Sequence, residues 1–306
     1  MADASPSPAG ETRSNEAPAA AETCIGVAGA GTMGAGIAQV LIWAGHPVRL
    51  YDIEQAYVAR GRDQIASFLR RGAEKGRHSS EAVDSALARL TITTDLADMA
   101  GVDLVIEAAP ERIDIKHELF RNLERVCGAE TILATNTSTL SVALIASVLE
   151  RPERACGLHF FNPAPLMPLV EIVRGPATAA RVIETVTRLA QAWGKQPVLA
   201  EDAPGFIVNR VARPFYGEGL RLAGERVADY ATIDRLARDA GFPMGPFELM
   251  DLIGIDVNFA AASAVFEGFF GDPRFRPHPI QRAMVESGRL GRKTGRGYYD
   301  YAAGDA

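Results

Sequence analysis

From residue 24 onward, short apolar runs alternate with longer stretches in which apolar residues recur every three or four positions. The first run, residues 24–28, meets a glycine loop, and residues 33–43 then predict a buried helix. Residues 47–51 predict the next strand, with Val48 and Leu50 on one face. Further strand-like runs occupy residues 103–108, 131–135, 157–161, 169–173 and 197–200. Between them, Val83, Leu87 and Leu90 mark one face of a helix that Ser80 can cap, with Glu81 favourable in its first turn. Alternation of this kind predicts a parallel sheet with helices on both faces. The pattern changes at Glu201-Asp202-Ala203-Pro204-Gly205, a polar Pro/Gly punctuation, and beyond it helical periodicity dominates. Residues 241–246 interrupt that periodicity with two prolines and two glycines, and residues 247–253 resume as a helix. The pattern therefore predicts an α/β domain over residues 22–201 and an all-helical domain over residues 202–306. Residues 1–21, rich in Ala, Pro, Ser and Glu, read as a disordered tail.

A length of 306 residues fits two domains, since single cores rarely grow past about 250–300. Composition, at 47% hydrophobic and 23% charged, is that of a soluble globular chain. No charged residue occurs from Thr23 to Val48, which raises the question of a membrane span or signal anchor. The flank argues against both: Asp3, Glu11, Glu16 and Glu22 face only Arg13, and the stretch itself holds six glycines. Neither membrane association nor a targeting segment is expected. A net charge of −6 disfavours a broad nucleic-acid surface. Cys24, Cys127 and Cys156 show no CxxC spacing, which suits a reduced, cytoplasmic chain, and no metal site is expected.

Gly29-Ala30-Gly31-Thr32-Met33-Gly34 follows a predicted strand and opens a predicted helix. The first glycine permits a tight turn, the second lets a pyrophosphate approach the backbone, and the third lets helix pack on strand. An anion there meets free N–H groups and the positive end of the helix dipole. Asp52 ends the second strand 18 residues after Gly34, where its carboxylate can accept ribose hydroxyls. The same charge repels a 2′-phosphate, and Ile53-Glu54 supplies no compensating arginine, so NAD is preferred to NADP.

Of five histidines, only His159 lies inside an apolar strand end, and Glu171 lies among four aliphatic residues in a second run. A buried acid is costly unless paired. If residues 163–168 turn the chain back, the two side chains meet on neighbouring strands. A histidine oriented by a carboxylate suits removal of a hydroxyl proton near neutral pH. By spacing alone the pair fits this chemistry or a structural ion pair equally.

The segments GAGTMGAGIAQV, VIEAAPE, NTSTL, GLHFFNPAPLMPLVEIV, DAPGFIVNR and GFPMGPFELMDLIG together resemble the L-3-hydroxyacyl-CoA dehydrogenase family, over about residues 24–300. Within that family the wording is similar to bacterial 3-hydroxybutyryl-CoA and 3-hydroxyadipyl-CoA dehydrogenases, which act in fatty acid β-oxidation and phenylacetate degradation. The resemblance implies a Rossmann-type NAD-binding domain followed by a smaller helical domain for substrate binding and dimerisation. It implies His159 as catalytic base, Glu171 as its orienting partner, and Ser138 and Asn209 as contacts to the reacting end. Besides the glycine loop, with Thr32 and Met33, and Asp52, it implies NAD contacts from Glu111, Lys116, Ser138 and Asn162. It also implies a homodimer and an acyl-CoA substrate.

Residues 60–78 hold six basic residues against two acids, a local balance of +4 in an acidic protein. Such a run fits a polyanion such as coenzyme A or a solvated helix face. By resemblance, Lys75 is the CoA-contacting lysine, whereas Phe68 stands where relatives can carry a serine. A second cluster, Arg289, Arg292, Lys293 and Arg296, has no assigned part. Two other readings stay open from sequence: a sugar-acid dehydrogenase of L-gulonate type, and a non-enzymatic NAD-binding, crystallin-like protein.

Overall fold

The computed structural model describes residues 23–301. The expected tail of residues 1–21 lies outside the described residues. The first half of the chain runs β1 (Ile25–Ala28), α1 (Thr32–Trp43), β2 (Val48–Tyr51), α2 (Gln55–Glu74), α3 (Ser80–Leu87) and β3 (Leu90–Thr93). It continues through β4 (Leu104–Glu107), α4 (Ile113–Val126), β5 (Ile132–Thr135), α5 (Val142–Ala146), β6 (Ala155–Phe160), β7 (Leu169–Arg174), α6 (Ala180–Ala192) and β8 (Gln196–Glu201). These strands form one sheet in the order β3-β2-β1-β4-β5-β6-β7-β8. All neighbours are parallel except β6 and β7, which are antiparallel. The sheet is thus mixed rather than wholly parallel, because the short connection from residue 161 to 168 can only make a hairpin.

Two further expectations are corrected. Leu90 belongs to β3 and not to a helix face, and Ser79, not Ser80, caps α3 by accepting from the Ala82 N–H at 3.1 Å. The alternation Leu90-Thr91-Ile92-Thr93 pairs register-for-register with β2, and tertiary pairing outweighs the helical spacing that Leu90 shares with Val83. The uncharged stretch from Thr23 to Val48 resolves into β1, the glycine loop, the 12-residue α1 and the start of β2. Among the described residues no single helix is long and apolar enough to cross a membrane.

The main core fills the space between the sheet and α1, α2, α3 and α6, with Ile25, Val27, Ile37, Leu41, Leu50 and Ile106 at its centre. A second cluster, around Met99, Val105, Phe120 and Leu123, covers the other face.

Beyond β8 come α7 (Val208–Gly224), α8 (Tyr230–Asp239), α9 (Pro246–Ile253), α10 (Ile255–Gly268) and α11 (Pro279–Glu286). Their core, around Tyr216, Leu220, Phe247, Met250 and Tyr298, is separate from that of the sheet. Two buried acids hold this half together. Asp234 accepts from the Phe247 and Glu248 N–H groups and from the Tyr299 hydroxyl. Asp251 accepts from the Tyr298 and Tyr299 N–H groups and from the Tyr301 hydroxyl. A Cβ on Gly297 would lie 2.0 Å from the Asp251 carboxylate, so only glycine fits there. The basic cluster is absorbed locally: Lys293 pairs with Asp256, Arg296 with Asp300, and Arg289 donates to the Gly297 carbonyl.

His46, in the turn before β2, is buried. Its Nε2 accepts from the Trp193 indole N–H at 2.9 Å, so Nδ1 carries the proton and donates to the Thr23 carbonyl at 2.9 Å. Burial lowers its pKa below 6.5, although the bond to Thr23 opposes the shift. The unfolded chain then takes up a proton that the folded chain refuses. Stability is therefore lost as pH falls below 6.5, until the folded-state pKa is passed. His46→Gln should lower Tm at about pH 8 and flatten its acid decline, so that the two proteins converge near pH 5. Parallel Tm curves across that range would contradict the neutral, doubly bonded ring.

Candidate active site

Strands β1, β4, β5 and β6 run parallel, so their carboxyl ends lie along one edge of the sheet. That edge is where ligands bind in sheets of this kind. The glycine loop follows β1, Glu111 follows β4, Ser138 follows β5, and His159 sits near the end of β6. Four segments far apart in sequence thus deliver their side chains to one place.

The glycine loop has the shape that a dinucleotide needs. Gly29 has φ 112°, and a Cβ there would lie 2.5 Å from the Ala108 carbonyl. A Cβ on Gly34 would lie 1.7 Å from the Gly29 carbonyl, so the third glycine lets α1 pack against the loop. Gly31 differs: nothing lies within 4 Å of its added Cβ, and α1 has no side-chain cap. Open space and uncapped N–H groups at exposed Gly31 and Thr32 and half-buried Met33 suit a pyrophosphate. Asp52 accepts from the Ala30 N–H at 2.7 Å and from the Ile53 N–H at 2.8 Å, which fixes the carboxylate beside the loop. The residues present fit NAD.

On the next strands a buried charge network carries Ser138. Glu107 ends β4 fully buried and accepts from Lys116 at 2.6 Å, Thr135 at 2.6 Å and the Ala109 N–H at 2.7 Å. Lys116 also lies 3.3 Å from Glu111. Glu111 in turn accepts from the Thr137 hydroxyl, the Ser138 N–H at 3.1 Å and the Thr139 N–H at 3.2 Å. Burial pushes the Glu111 carboxyl up, but Lys116 and these hydrogen bonds outweigh it and hold the carboxyl below its usual range. Sequence reasoning passed over Glu107, although an acid closing the aliphatic run Leu104-Val105-Ile106 carried the same signal as Glu171.

His159 and Glu171 are direct register partners across the β6–β7 hairpin. His159 Nδ1 lies 2.7 Å from Glu171 Oε2, with the two side chains 5% and 1% exposed. A carboxylate only accepts, so Nδ1 carries the proton and Nε2 is left as acceptor, 3.1 Å from Ser138 Oγ. Glu171 Oε1 accepts from the Ile207 and Val208 N–H groups at 3.0 and 2.8 Å, where α7 begins. Gly205 and Phe206 both have positive φ at this corner, and the Phe206 ring centroid lies 5.8 Å from that of His159. Asn209 follows in the first turn of α7, half-buried, its Oδ1 3.3 Å from Arg213 Nη2. Sequence reasoning did not single out Arg213.

Two expected residues stand apart from this cluster. Asn162 is exposed after β6, and among the described residues its side chain makes no hydrogen bond. Lys75 is exposed at the end of α2, without an ion pair to any described residue. The same holds for Arg70, Arg71 and Arg77, whereas Arg62 pairs with Asp63. Among the described residues no group of three His, Cys, Asp or Glu side chains could hold a metal ion.

The sequence pattern of "3-hydroxyacyl-CoA dehydrogenase, NAD binding domain" matches residues 24–203, and that of "3-hydroxyacyl-CoA dehydrogenase, C-terminal domain" matches residues 205–301. The chain belongs to the 3-hydroxyacyl-CoA dehydrogenase family. The family consists of NAD-dependent oxidoreductases, and the cofactor is NAD. The chain is 51% identical to the 3-hydroxyadipyl-CoA dehydrogenase of Escherichia coli (strain K12), over 91% of its own length and 59% of that protein's. It therefore spans about three fifths of that relative. It is 42% identical to a probable 3-hydroxybutyryl-CoA dehydrogenase of Bacillus subtilis (strain 168), covering 90% of this chain and 96% of the other. The crystal structure of (S)-3-hydroxybutyryl-CoA dehydrogenase from Ralstonia eutropha superposes with a TM-score of 0.88 at 39% identity, covering 91% and 99% of the two chains.

The two glycines separate structural from ligand effects. Gly31→Ala should leave Tm within about 1–2 °C but weaken NADH binding at least tenfold, because its Cβ enters the open cradle. Gly34→Ala should lower Tm by more than about 5 °C, since its Cβ meets backbone. Fluorescence titration with NADH and thermal melts read both; unchanged NADH affinity in Gly31→Ala would remove the cradle assignment.

Proposed function

We propose that this protein oxidises L-3-hydroxyacyl-CoA thioesters to 3-ketoacyl-CoA with NAD, acting on a short acyl chain such as 3-hydroxybutyryl or on 3-hydroxyadipyl. The observation that carries the proposal is the orientation of His159. Its Nδ1–H points at Glu171, which leaves an accepting Nε2 beside Ser138 on the same sheet edge as the glycine loop. The names of the relatives support the thioester class.

A bound NAD supplies the acceptor for the hydride that leaves C3. The chain's own residues do the rest. His159 Nε2 takes the hydroxyl proton as general base, a contribution typically worth about 10²–10⁴-fold. Glu171 holds the ring in the tautomer that keeps Nε2 free and stabilises the imidazolium once it forms. Ser138 Oγ, 3.1 Å from Nε2, is placed to share the substrate oxygen with the histidine. Asn209 holds the reacting end from the α7 side, so substrate is fixed between sheet and helix. The glycine loop, Asp52, Glu111, Lys116, Ser138 and Asn162 hold the dinucleotide, and Lys75 with its basic neighbours meets the CoA phosphates. The seam near residues 201–205 is the proposed domain boundary. A homodimer through the helical half is part of this reading: Val211, Leu252, Ile253 and Val257 present apolar side chains to solvent there. A cytoplasmic location completes it.

His159→Gln should lower kcat for 3-hydroxybutyryl-CoA about 10³-fold with NADH affinity kept within about twofold. Glu171→Gln should lower kcat about 10²-fold with a smaller change in KM. Near-wild-type turnover by a folded His159→Gln protein, followed at 340 nm, would end the general-base assignment.

A further inference from the structure

Among the described residues Arg213 is a buried arginine without an anion. It is 7% exposed, yet no carboxylate among the described residues pairs with it. Its guanidinium donates instead to neutral oxygens: Nε to the Asn209 carbonyl at 3.0 Å, Nη1 to the Asn258 carbonyl at 3.0 Å, and Nη2 to Asn209 Oδ1 at 3.3 Å. The Tyr216 ring lies beneath it, 5.0 Å from centroid to guanidinium carbon. Three of five N–H groups are used, so one remains on each terminal nitrogen. Burial lowers its pKa, with Tyr216 opposing the shift and no described carboxylate beside it. A buried charge without a counter-charge is costly, which marks the group as a candidate ligand contact.

Its surroundings are built for an anion. Arg213, Asn258, Gln281, Arg274, Arg276 and His278 line a small cavity with no Asp or Glu in its wall. The cavity is about 20 Å³, room for a water-sized polar group and not for an alkyl chain. Asn258 and Gln281 are themselves buried and hydrogen-bonded to each other at 2.8 Å, which keeps the wall rigid. Arg213 also stands one turn of α7 beyond Asn209, a rise of about 5–6 Å. In a six-carbon acyl chain, three carbon–carbon bonds beyond C3 cover about 4 Å, so the guanidinium, 3.3 Å from Asn209 Oδ1, lies within the reach of a chain held at Asn209.

We infer that Arg213 is the receptor for a carboxylate at the far end of the acyl chain, and that the protein selects 3-hydroxy dicarboxylyl-CoA thioesters. The inference rests on the dehydrogenase reading of the site, with Asn209 at the reacting end. The terminal carboxylate takes the two free N–H groups in a bidentate pair, and the cation that the apo protein leaves uncompensated becomes neutralised. The hydrogen bond to Asn209 Oδ1 also turns the amide so that its NH₂ faces substrate, which couples chain recognition to the reacting centre.

The test compares two substrates of equal length, 3-hydroxyadipyl-CoA and uncharged 3-hydroxyhexanoyl-CoA, by kcat/KM. Wild-type protein should favour the dicarboxylyl substrate at least tenfold. In Arg213→Met that ratio should fall by about 30-fold or more, and Arg213→Lys should keep part of it. Equal losses on both substrates in Arg213→Met would show that the arginine acts only through Asn209 and would overturn the inference. So would a wild-type protein with no preference, a measurement that requires no variant to fold. Failure to oxidise either thioester would instead sink the underlying dehydrogenase reading.

Discussion

Glu171 places its two carboxylate oxygens in two halves of the molecule. One oxygen holds His159 on the neighbouring strand, and the other takes two N–H groups at the start of α7. A carboxylate buried to this degree survives only with all these partners, since desolvation alone costs several kcal/mol. The same bonds that make it tolerable fix the imidazole tautomer and anchor the helix that carries Asn209 and Arg213. Orientation of the imidazole and attachment of the helical half to the sheet are therefore one constraint. A change that frees α7 also frees the histidine.

The rest of the sheet edge follows a similar logic of buried charge made acceptable by complete pairing. Glu107, Lys116 and Glu111 are satisfied by one another and by the Thr135–Thr139 segment, and this fixes the turn bearing Ser138. Asp52 is held by the glycine loop it serves. Arg213 breaks the pattern, because its partners are all neutral. Lys195 shares this trait, its Nζ donating only to the Ala164 and Met167 carbonyls, and what sets Arg213 apart is its bond to Asn209, in contrast to sites where the chain supplies a counter-charge. A 520 Å³ cavity lined by Asp103, Glu130, Arg154 and Arg181 shows the other case. It lies at the amino ends of β4 and β5, away from the ligand edge, and Glu130 and Arg181 are already paired at 2.6 Å.

Much of this was legible in the sequence because the decisive interactions are local or follow from strand register. The glycine loop is contiguous, Asp52 ends the strand after it, and a short proline-rich turn between two apolar runs sufficed to bring His159 opposite Glu171. What was not legible depends on partners that the chain order hides. Leu90 continues a helical spacing, and only pairing with β2 makes it a strand residue. Glu107 looked like the end of an apolar run until Lys116 and Thr135 closed around it. His46 gives no local sign of its burial, since its bond to Trp193 spans 147 positions. Arg213 carries no signal of its own, because nothing in its neighbourhood of sequence says that α10 and α11 will pack around it.

Glu171 sets the proton on His159 Nδ1 and leaves Nε2 free to accept. Long-range ¹⁵N–¹H NMR of the His159 ring, in protein labelled with ¹⁵N-histidine and near neutral pH, reads this directly. The expected signal is that of a ring protonated on Nδ1 with a bare Nε2, and loss of that fixed tautomer in Glu171→Gln. A ring protonated on Nε2 alone, or one whose tautomer is the same with and without the carboxylate, would contradict it.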